Sequence, residues 1–445
     1  MWYIVAFISL LIVGVLDGHT SSFAALSLMF ILGLVSVNSR KNTTDRVHGG
    51  KVFGLVFSVY VISAFISSQS FLNGQYFYVS DSMKYIETYS RVSTWSWDNT
   101  FDDLSQTYFY FADNNGLFNQ SLAYWAYIAN HYFDGTSEFY MTLFLTLFGV
   151  LASLEIYKIF TLYFEHSKAA KYACIFAVLS LFHIYSVVII RDIVIAYFYM
   201  LGLRKIIGRP KITDAFVLLF VVIVTMGVRL YTGLFFGAFI MLWLYKLIQD
   251  TKYAQYKIII VSIIIVGVTF IAASFASSML VESTAEQIGD YDELYERESG
   301  TAAGLRQLPQ GIRQIVILFF SQLPLDKFSR LSISTSFSNY YLSILAIIYK
   351  VFGFVVFYGL MYYCFIKGFF KKMPFNEKWI MIIMLLFVAL TLSTHIDVRR
   401  SMEAIPFFYL FYMLIREQYN YVQWRKVNNI LIAAGIFIML VYAVM

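Results

Sequence analysis

Long runs without charge constrain this chain more than any other feature. Ile258–Leu280 is 23 residues with no charged side chain, and Tyr341–Ile366 is 26 residues with Lys350 alone. About 20 apolar residues cross a bilayer as a helix, whereas a helix on a soluble domain breaks such a run with a polar face. The composition agrees: 13% of the 445 residues are charged, against roughly 25% in soluble proteins. The chain is therefore expected to be an all-α, polytopic membrane protein, a single integral membrane domain over residues 1–445. Cys174 and Cys364 both lie in apolar runs, so no disulfide framework and no thiolate metal cluster is expected. The first span has no basic segment before it and no small-residue cleavage site, which predicts a retained helix.

Thirteen transmembrane helices are expected, near Trp2–Leu16, Ser21–Val37, Val52–Leu72, Phe139–Tyr157, Tyr172–Ile190, Ile193–Leu203, Ala215–Val228, Tyr231–Tyr245, Ile258–Leu280, Tyr341–Ile366, Trp379–Thr394, Ala404–Ile415 and Asn429–Met445. Several are too short for the roughly 30 Å of hydrocarbon, which predicts ends hidden in loops or bent around a cavity. With the N-terminus inside, the cytoplasmic segments are Asn38–Lys51, Lys158–Lys171, Arg204–Lys211, Lys246–Lys257, Lys367–Lys378 and Arg416–Lys426. They hold 21 of the 33 Lys and Arg, the asymmetry that orients membrane proteins. Twenty of the 27 acids fall on the other side, with two long external loops, Asn73–Glu138 and Val281–Asn339. Loops beyond about 15 residues usually carry function, so the working face is expected outside. No glycine-rich phosphate cradle opens a cytoplasmic helix, which argues against an ATP-driven pump. The net charge of +6 serves orientation, and no nucleic-acid partner is expected.

Lysine and arginine are sorted differently. The inside segments carry 15 Lys and 6 Arg, while the remaining basic residues are 9 Arg and 3 Lys. Orientation needs charge alone, but a planar guanidinium holds two oxygens of a phosphate or carboxylate at once. The outer face is therefore expected to hold an anion. Arg191 precedes Asp192, Arg229 interrupts an apolar stretch in TMGVRLYTG, and Arg399 and Arg400 stand in THIDVRRSME beside His395, Asp397 and Glu403. Charges at such depth are costly and face a cavity or a partner. Pairing of Arg191 with Asp192, or of Arg399 with Asp397 or Glu403, as structural clamps is the plainer alternative.

The first external loop opens with FYVSDSMKYIETYSRV, where Asp81 and Tyr85 share a helix face. Asp81 could deprotonate a hydroxyl if burial raised its pKa, or could cap a helix or pair with Lys84 or Arg91. The aromatic run that follows suits a membrane-interface belt. The second loop has seven acids between Glu282 and Glu298, read as a solvated flap. Then Arg306 and Arg313, two helical turns apart, precede an apolar stretch ending at Pro324. That stretch reads as a short amphipathic or re-entrant helix rather than a span. His395 and Asp397 point apart on a helix, so no metal site is expected there.

Together these motifs resemble the Wzy-type polymerases of bacterial O-antigen and capsule, within the multi-spanning glycosyltransferases that use undecaprenyl-linked sugars. The likeness rests on SDSMKYIETYSRV, IIRDIVIAYFYMLGLR, GVRLYTG, ILFFSQLPLDKF and THIDVRRSMEAIPFFYLFY, from about Asp81 to Pro406. It implies a bacterial inner-membrane enzyme that moves a growing glycan from undecaprenyl diphosphate to a lipid-linked repeat unit at the periplasmic face. No nucleotide sugar or other cofactor is implied, and the partners are undecaprenyl-diphosphate-linked oligosaccharides, membrane lipid and conceivably a chain-length regulator protein. On that reading Arg191, Arg229, Arg306, Arg313, Arg399 and Arg400 are candidates to hold the diphosphate. Asp81, His395 and Asp397 are candidate bases, and Tyr85, Asp192 and Tyr231 candidates to line the substrate site. The rival readings are a flippase for the same lipid-linked oligosaccharide, an O-antigen ligase or O-acetyltransferase, and a metal-dependent membrane glycosyltransferase pairing Asp81 with Asp102 or Asp103.

Overall fold

The computed structural model describes residues 1–40, 42–72, 85, 116–249, 310–324, 337–394 and 401–444. Among these residues the chain is helical, with no strand. Helices α1 (Trp2–Asp17), α2 (Thr20–Asn38) and α3 (Thr43–Leu72) are followed by α4 (Gly116–Tyr132), α5 (Glu138–Phe160), α6 (His166–Leu179) and α7 (Leu181–Tyr185). Next come α8 (Asp192–Ile207), α9 (Asp214–Val228), α10 (Leu230–Gln249) and α11 (Gln310–Phe320). Helix α12 (Phe337–Met361) runs into a π turn (Tyr362–Ile366), and α13 (Phe369–Lys372), α14 (Phe375–Thr394), α15 (Ile405–Gln418) and α16 (Tyr421–Val444) close the chain. Six helical stretches among the described residues are long and apolar enough to cross a membrane, in α2, α3, α5, α10, α12 with its π turn, and α16.

Helices α3 and α5 form the centre. They pack on each other; α1 and α6 flank α3, and α8 packs on α5. The apolar window of α5 is 78% buried, against 17% for α16, which faces outward along most of its length. A helix apolar all round is either buried in protein or faces lipid, and these two mark the extremes.

The six basic segments meet at one end of the bundle. Arg40 pairs with Asp45 at 2.8 Å and its guanidinium covers the Tyr157 ring at 4.7 Å. Glu155 bridges Lys158 and Arg204, at 2.6 Å each. The Lys246 ammonium donates to the carbonyls of Ile206, Ile207 and Gly208 at 2.7–3.0 Å, satisfying the end of α8. Tyr163 reaches Glu377 at 3.2 Å, Lys168 pairs with Glu417 at 2.6 Å, and the Tyr419 hydroxyl donates to the Lys367 carbonyl at 3.3 Å. Segments far apart in sequence thus share one layer, which fixes the up-and-down alternation of the helices between them.

At the opposite end Asp134 caps α2. Its carboxylate accepts from the Thr20 and Ser21 amides at 2.8 and 3.2 Å, and the Ser21 hydroxyl donates to the Gly135 carbonyl at 2.7 Å. The Thr20 amide first, then the Ser21 amide, holds the Asp134 carboxyl below the usual carboxylate range. A depressed folded-state pKa contributes stability that is complete above the unfolded value of about 4 and fades as pH falls further. Asp134→Ala is therefore expected to lower Tm slightly above about pH 4, with the gap to wild type closing in more acidic buffer. Thermal unfolding in detergent across pH would measure it, and a gap that widened toward acid would contradict the capping role.

One expected span and one expected loop take a different form. Tyr172–Ile190 is not one helix: α6 ends at Leu179, Ser180 accepts from the Phe182 amide at 3.3 Å to start the single turn of α7, and residues 186–191 are irregular. Every residue from Leu181 to Ile190 is buried. Hydropathy cannot separate burial in protein from burial in lipid, so this run was apolar for a reason other than crossing the membrane. The loop Asn73–Glu138 contains a 17-residue helix, α4, which stacks Trp125 on Tyr140 of α5 with ring centroids 4.9 Å apart. The expected span Ile258–Leu280 lies outside the described residues.

The short element that contains Arg313 is a helix, α11. Phe319 near its end packs on Phe357, and the Phe319 carbonyl accepts from the Tyr358 hydroxyl at 2.8 Å. Tyr358 stands 21 residues, or about 30 Å of helix, beyond the first residue of α12. The far end of α11 therefore lies deep along α12, and Ser321, Gln322 and Pro324 after it are buried.

Candidate functional site

Arg191, Asp192 and Arg229 come together where two helix breaks meet. α9 stops at Val228 and α10 begins at Leu230, with Arg229 between them in extended backbone, φ −159° and ψ 106°. The Arg229 amide closes the last turn on the Thr225 carbonyl at 2.8 Å, and the Thr232 hydroxyl takes the Arg229 carbonyl at 2.7 Å. Gly233 makes the tight reversal feasible, because a Cβ there would lie 2.6 Å from the Met226 amide nitrogen. Across the break, Asp192 is the first residue of α8, where a carboxylate is favoured by the helix dipole.

The Arg229 guanidinium reaches Asp192 at 2.8 Å (Nη2 to Oδ1), and both side chains are almost wholly buried, 4% and 2% exposed. Arg191 Nη1 donates to the Val228 carbonyl at 3.2 Å, one of those that the end of α9 leaves over. Its side chain is half-buried. Among the described residues the Arg191 and Arg229 side chains and the Asp192 carboxylate thus gather beside a helix start, an end that favours anions. α8 and α9 are 16 and 15 residues long, about 24 and 22 Å, and both reach down to the basic layer through Arg204 and Asp214. The cluster therefore sits about 20 Å from that layer along these helices, toward the other end of the bundle.

What carries Arg191 there is the irregular segment 186–191. Irregular backbone at membrane depth persists only when protein satisfies its polar groups. The Thr146 hydroxyl donates to the Ser186 carbonyl at 2.8 Å, the Ser186 amide takes the Phe182 carbonyl at 3.0 Å, and the Ile190 amide takes the Val188 carbonyl at 2.9 Å.

Next to that segment lies a polar chain around His183, which no motif in the sequence marks. His183 Nδ1 is 3.0 Å from the Val178 carbonyl, so Nδ1 carries the proton and Nε2 accepts. The Ser63 hydroxyl lies 2.8 Å from Nε2 and donates to the Val59 carbonyl at 2.7 Å, the Tyr341 hydroxyl bonds Ser63, and the Tyr60 ring stacks on the imidazole at 5.2 Å. The chain stitches α3, α7 and α12 together. Ser63→Ala would leave a buried ring nitrogen and the Tyr341 hydroxyl without the group that joins them, at a cost of about 1–3 kcal/mol, while Tyr341→Phe is expected to cost about 1 kcal/mol. Unfolding of the two variants in detergent checks the order; a Ser63→Ala no worse than Tyr341→Phe would reject Ser63 as the centre of this chain.

The other expected site residues are placed as follows. Tyr85 is buried and meets the Phe118 ring of α4 edge-on at 4.9 Å. Tyr231 lies in the first turn of α10 and Arg313 in α11, each in the helical backbone. Asp81, Arg306, His395, Asp397, Arg399 and Arg400 lie outside the described residues. Of the late THIDVRRSME motif, Ser401, Met402 and Glu403 are buried. Among the described residues no three His, Cys, Asp or Glu are grouped to hold a metal ion. Glu155 also escaped sequence reasoning, although a lone acid inside FGVLASLEIYK is a visible signal of a buried partner.

No protein-family signature, curated protein or solved structure matches this chain.

Proposed function

We propose that the protein is a polysaccharide polymerase of the bacterial inner membrane, with its lysine-rich end in the cytoplasm and the arginine cluster toward the periplasm. The observation that carries this reading is the convergence of Arg191 and Arg229, from two separate helix breaks, at the start of α8. An anion with several oxygens suits that arrangement, and a polyprenyl diphosphate brings such an anion to membrane depth. In the reaction, an acceptor sugar hydroxyl attacks the anomeric carbon of the growing glycan. The carbon–oxygen bond to the diphosphate breaks, and the diphosphate leaves with the bonding electron pair.

Arg191 donates to the departing diphosphate, where charge develops in the transition state. Asp192 is a positioning residue on this reading: it holds Arg229 in place and does not itself touch substrate. The hydroxyl proton passes to a base drawn from Asp81, His395 or Asp397. The purified protein, given synthetic undecaprenyl-diphosphate-linked repeat units, is expected to produce a ladder of products one repeat unit apart. Unchanged substrate, or its passage across a vesicle membrane without chain growth, would replace the polymerase by a flippase. Loss of the ladder in chelator would point instead to a metal-dependent transferase.

A further inference from the structure

Helix α16 is the most outward-facing of the six long apolar helices, and its lower half carries a shallow groove of about 430 Å³. Val422, Arg425, Lys426, Asn429, Ile430 and Ala433 line it. Their spacing of three and four residues makes one stripe along the helix. The stripe is divided by chemistry: two cations and an amide lie toward the helix start, and Ile430 with the small Ala433 follows further along the helix.

Depth matches that division. α16 has 24 residues, about 36 Å of helix, and so exceeds the roughly 30 Å of hydrocarbon by more than one turn. Its first turns, through Lys426, then stand in the headgroup layer, while Ile430 and Ala433 lie against acyl chains. Trp424 and Tyr421 hold that end in place: Arg416 covers both rings, at 5.2 and 5.5 Å, as well as Tyr172 at 5.6 Å. Most cations of the basic layer described above have partners within the protein. Arg425 and Lys426 are exposed and have no ion-pair partner among the described residues.

We propose that this stripe is a binding site for one anionic phospholipid, its phosphate held by Arg425, Lys426 and Asn429 and one acyl chain lying over Ile430 and Ala433. The chemistry is that of a phosphodiester headgroup above an apolar chain, and the site is independent of the polymerase reading. A second copy of the chain fits less well. Parallel two-fold packing of α16 on itself would bring the two Arg425–Lys426 pairs face to face without a counter-charge.

The test uses the full-length protein in nanodiscs of phosphatidylcholine with and without phosphatidylglycerol. Native mass spectrometry after transfer to detergent counts the retained lipid, and a titration gives its affinity. The wild type is expected to keep one phosphatidylglycerol, and Arg425→Gln with Lys426→Gln to weaken that binding about thirtyfold, the factor expected for two juxtamembrane cations. Arg209→Gln with Lys211→Gln removes the same charge from an exposed loop at the same end and is expected to leave retention unchanged. Equal retention by the groove variant and the wild type would overturn the proposal, as would equal loss in both double variants. Displacement of the lipid by millimolar inorganic phosphate would make the site one for a free anion. A wild-type dimer that the groove variant dissolves would assign the stripe to a second copy.

Discussion

Arg191→Gln is expected to slow glycan chain extension by about 10²- to 10³-fold, the usual cost of removing one donor aimed at developing negative charge. The protein should still reach the membrane in normal amount, because Arg191 is half-buried where Arg229 is almost wholly enclosed. Arg191→Lys keeps the charge and loses the two-pronged geometry, so an intermediate rate is expected. Arg229→Gln should behave differently. It removes the partner of a carboxylate that is 2% exposed, and breaking a buried pair costs about 3–5 kcal/mol because the remaining charge stays buried. Lower abundance and lower Tm are then expected together with lost activity.

The double variant Arg229→Gln with Asp192→Asn separates the two effects. It removes both charges of the buried pair together and should regain most of the stability without regaining activity. Initial rates of polymer formation, normalised to folded protein, measure all four variants. A wild-type rate in Arg191→Gln would end the diphosphate-clamp reading. Full activity in the double variant would reduce the Arg229–Asp192 pair to a structural clamp, the plainer role that buried pairs often have.

Much of this arrangement could be read in the sequence, and the part that could not has a definite physical cause. Hydropathy and the lysine bias anticipated an all-helical chain whose basic segments form one layer, because both follow from solvent preference residue by residue. Arg40, Lys158, Arg204, Lys246 and Lys168 all lie in that layer. The arginines at Arg191 and Arg229 could be singled out because charge at membrane depth needs a reason. Their partners could not: the expected alternative was Asp192 with its neighbour Arg191, and the structure pairs Asp192 with Arg229, 37 residues later. Adjacent residues on a helix point apart, whereas the break between α9 and α10 can present Arg229 from across the bundle. The break after α6 was hidden for a related reason. HIYSVVII is as apolar as a span, and its irregular backbone is supported by Thr146, a residue in another helix with no local signal in that run.

That support gives the second large expected effect, at Gly149. Glycine in the middle of α5 costs about 1 kcal/mol of helix propensity relative to alanine, so ordinary reasoning would make Gly149→Ala stabilising. Here the outcome should be reversed. A Cβ on residue 149 would lie 2.0 Å from Ser186 Oγ, 2.5 Å from Ser186 Cβ and 3.1 Å from the Tyr60 ring. The hydroxyl could rotate away, but a Cβ is fixed by its own backbone, so the 186–191 segment must move. Overpacking of this kind costs about 1–3 kcal/mol, and Arg191 lies at the end of the displaced segment. Gly149→Ala is therefore expected to lower Tm and to lose activity beyond the loss of folded protein. Gly149→Val should be worse on both counts.

Ser186→Gly in the Gly149→Ala background removes both clashing Ser186 atoms and is expected to restore much of the stability and activity. Ser186→Ala removes the Oγ and keeps the Cβ, so it should rescue far less. That ordering distinguishes steric displacement of the buried segment from a general weakening of α5, which neither change at residue 186 could repair. If Ser186→Ala rescued Gly149→Ala as well as Ser186→Gly did, the contact that matters would be the hydroxyl alone. The backbone of the segment would then not be what positions Arg191.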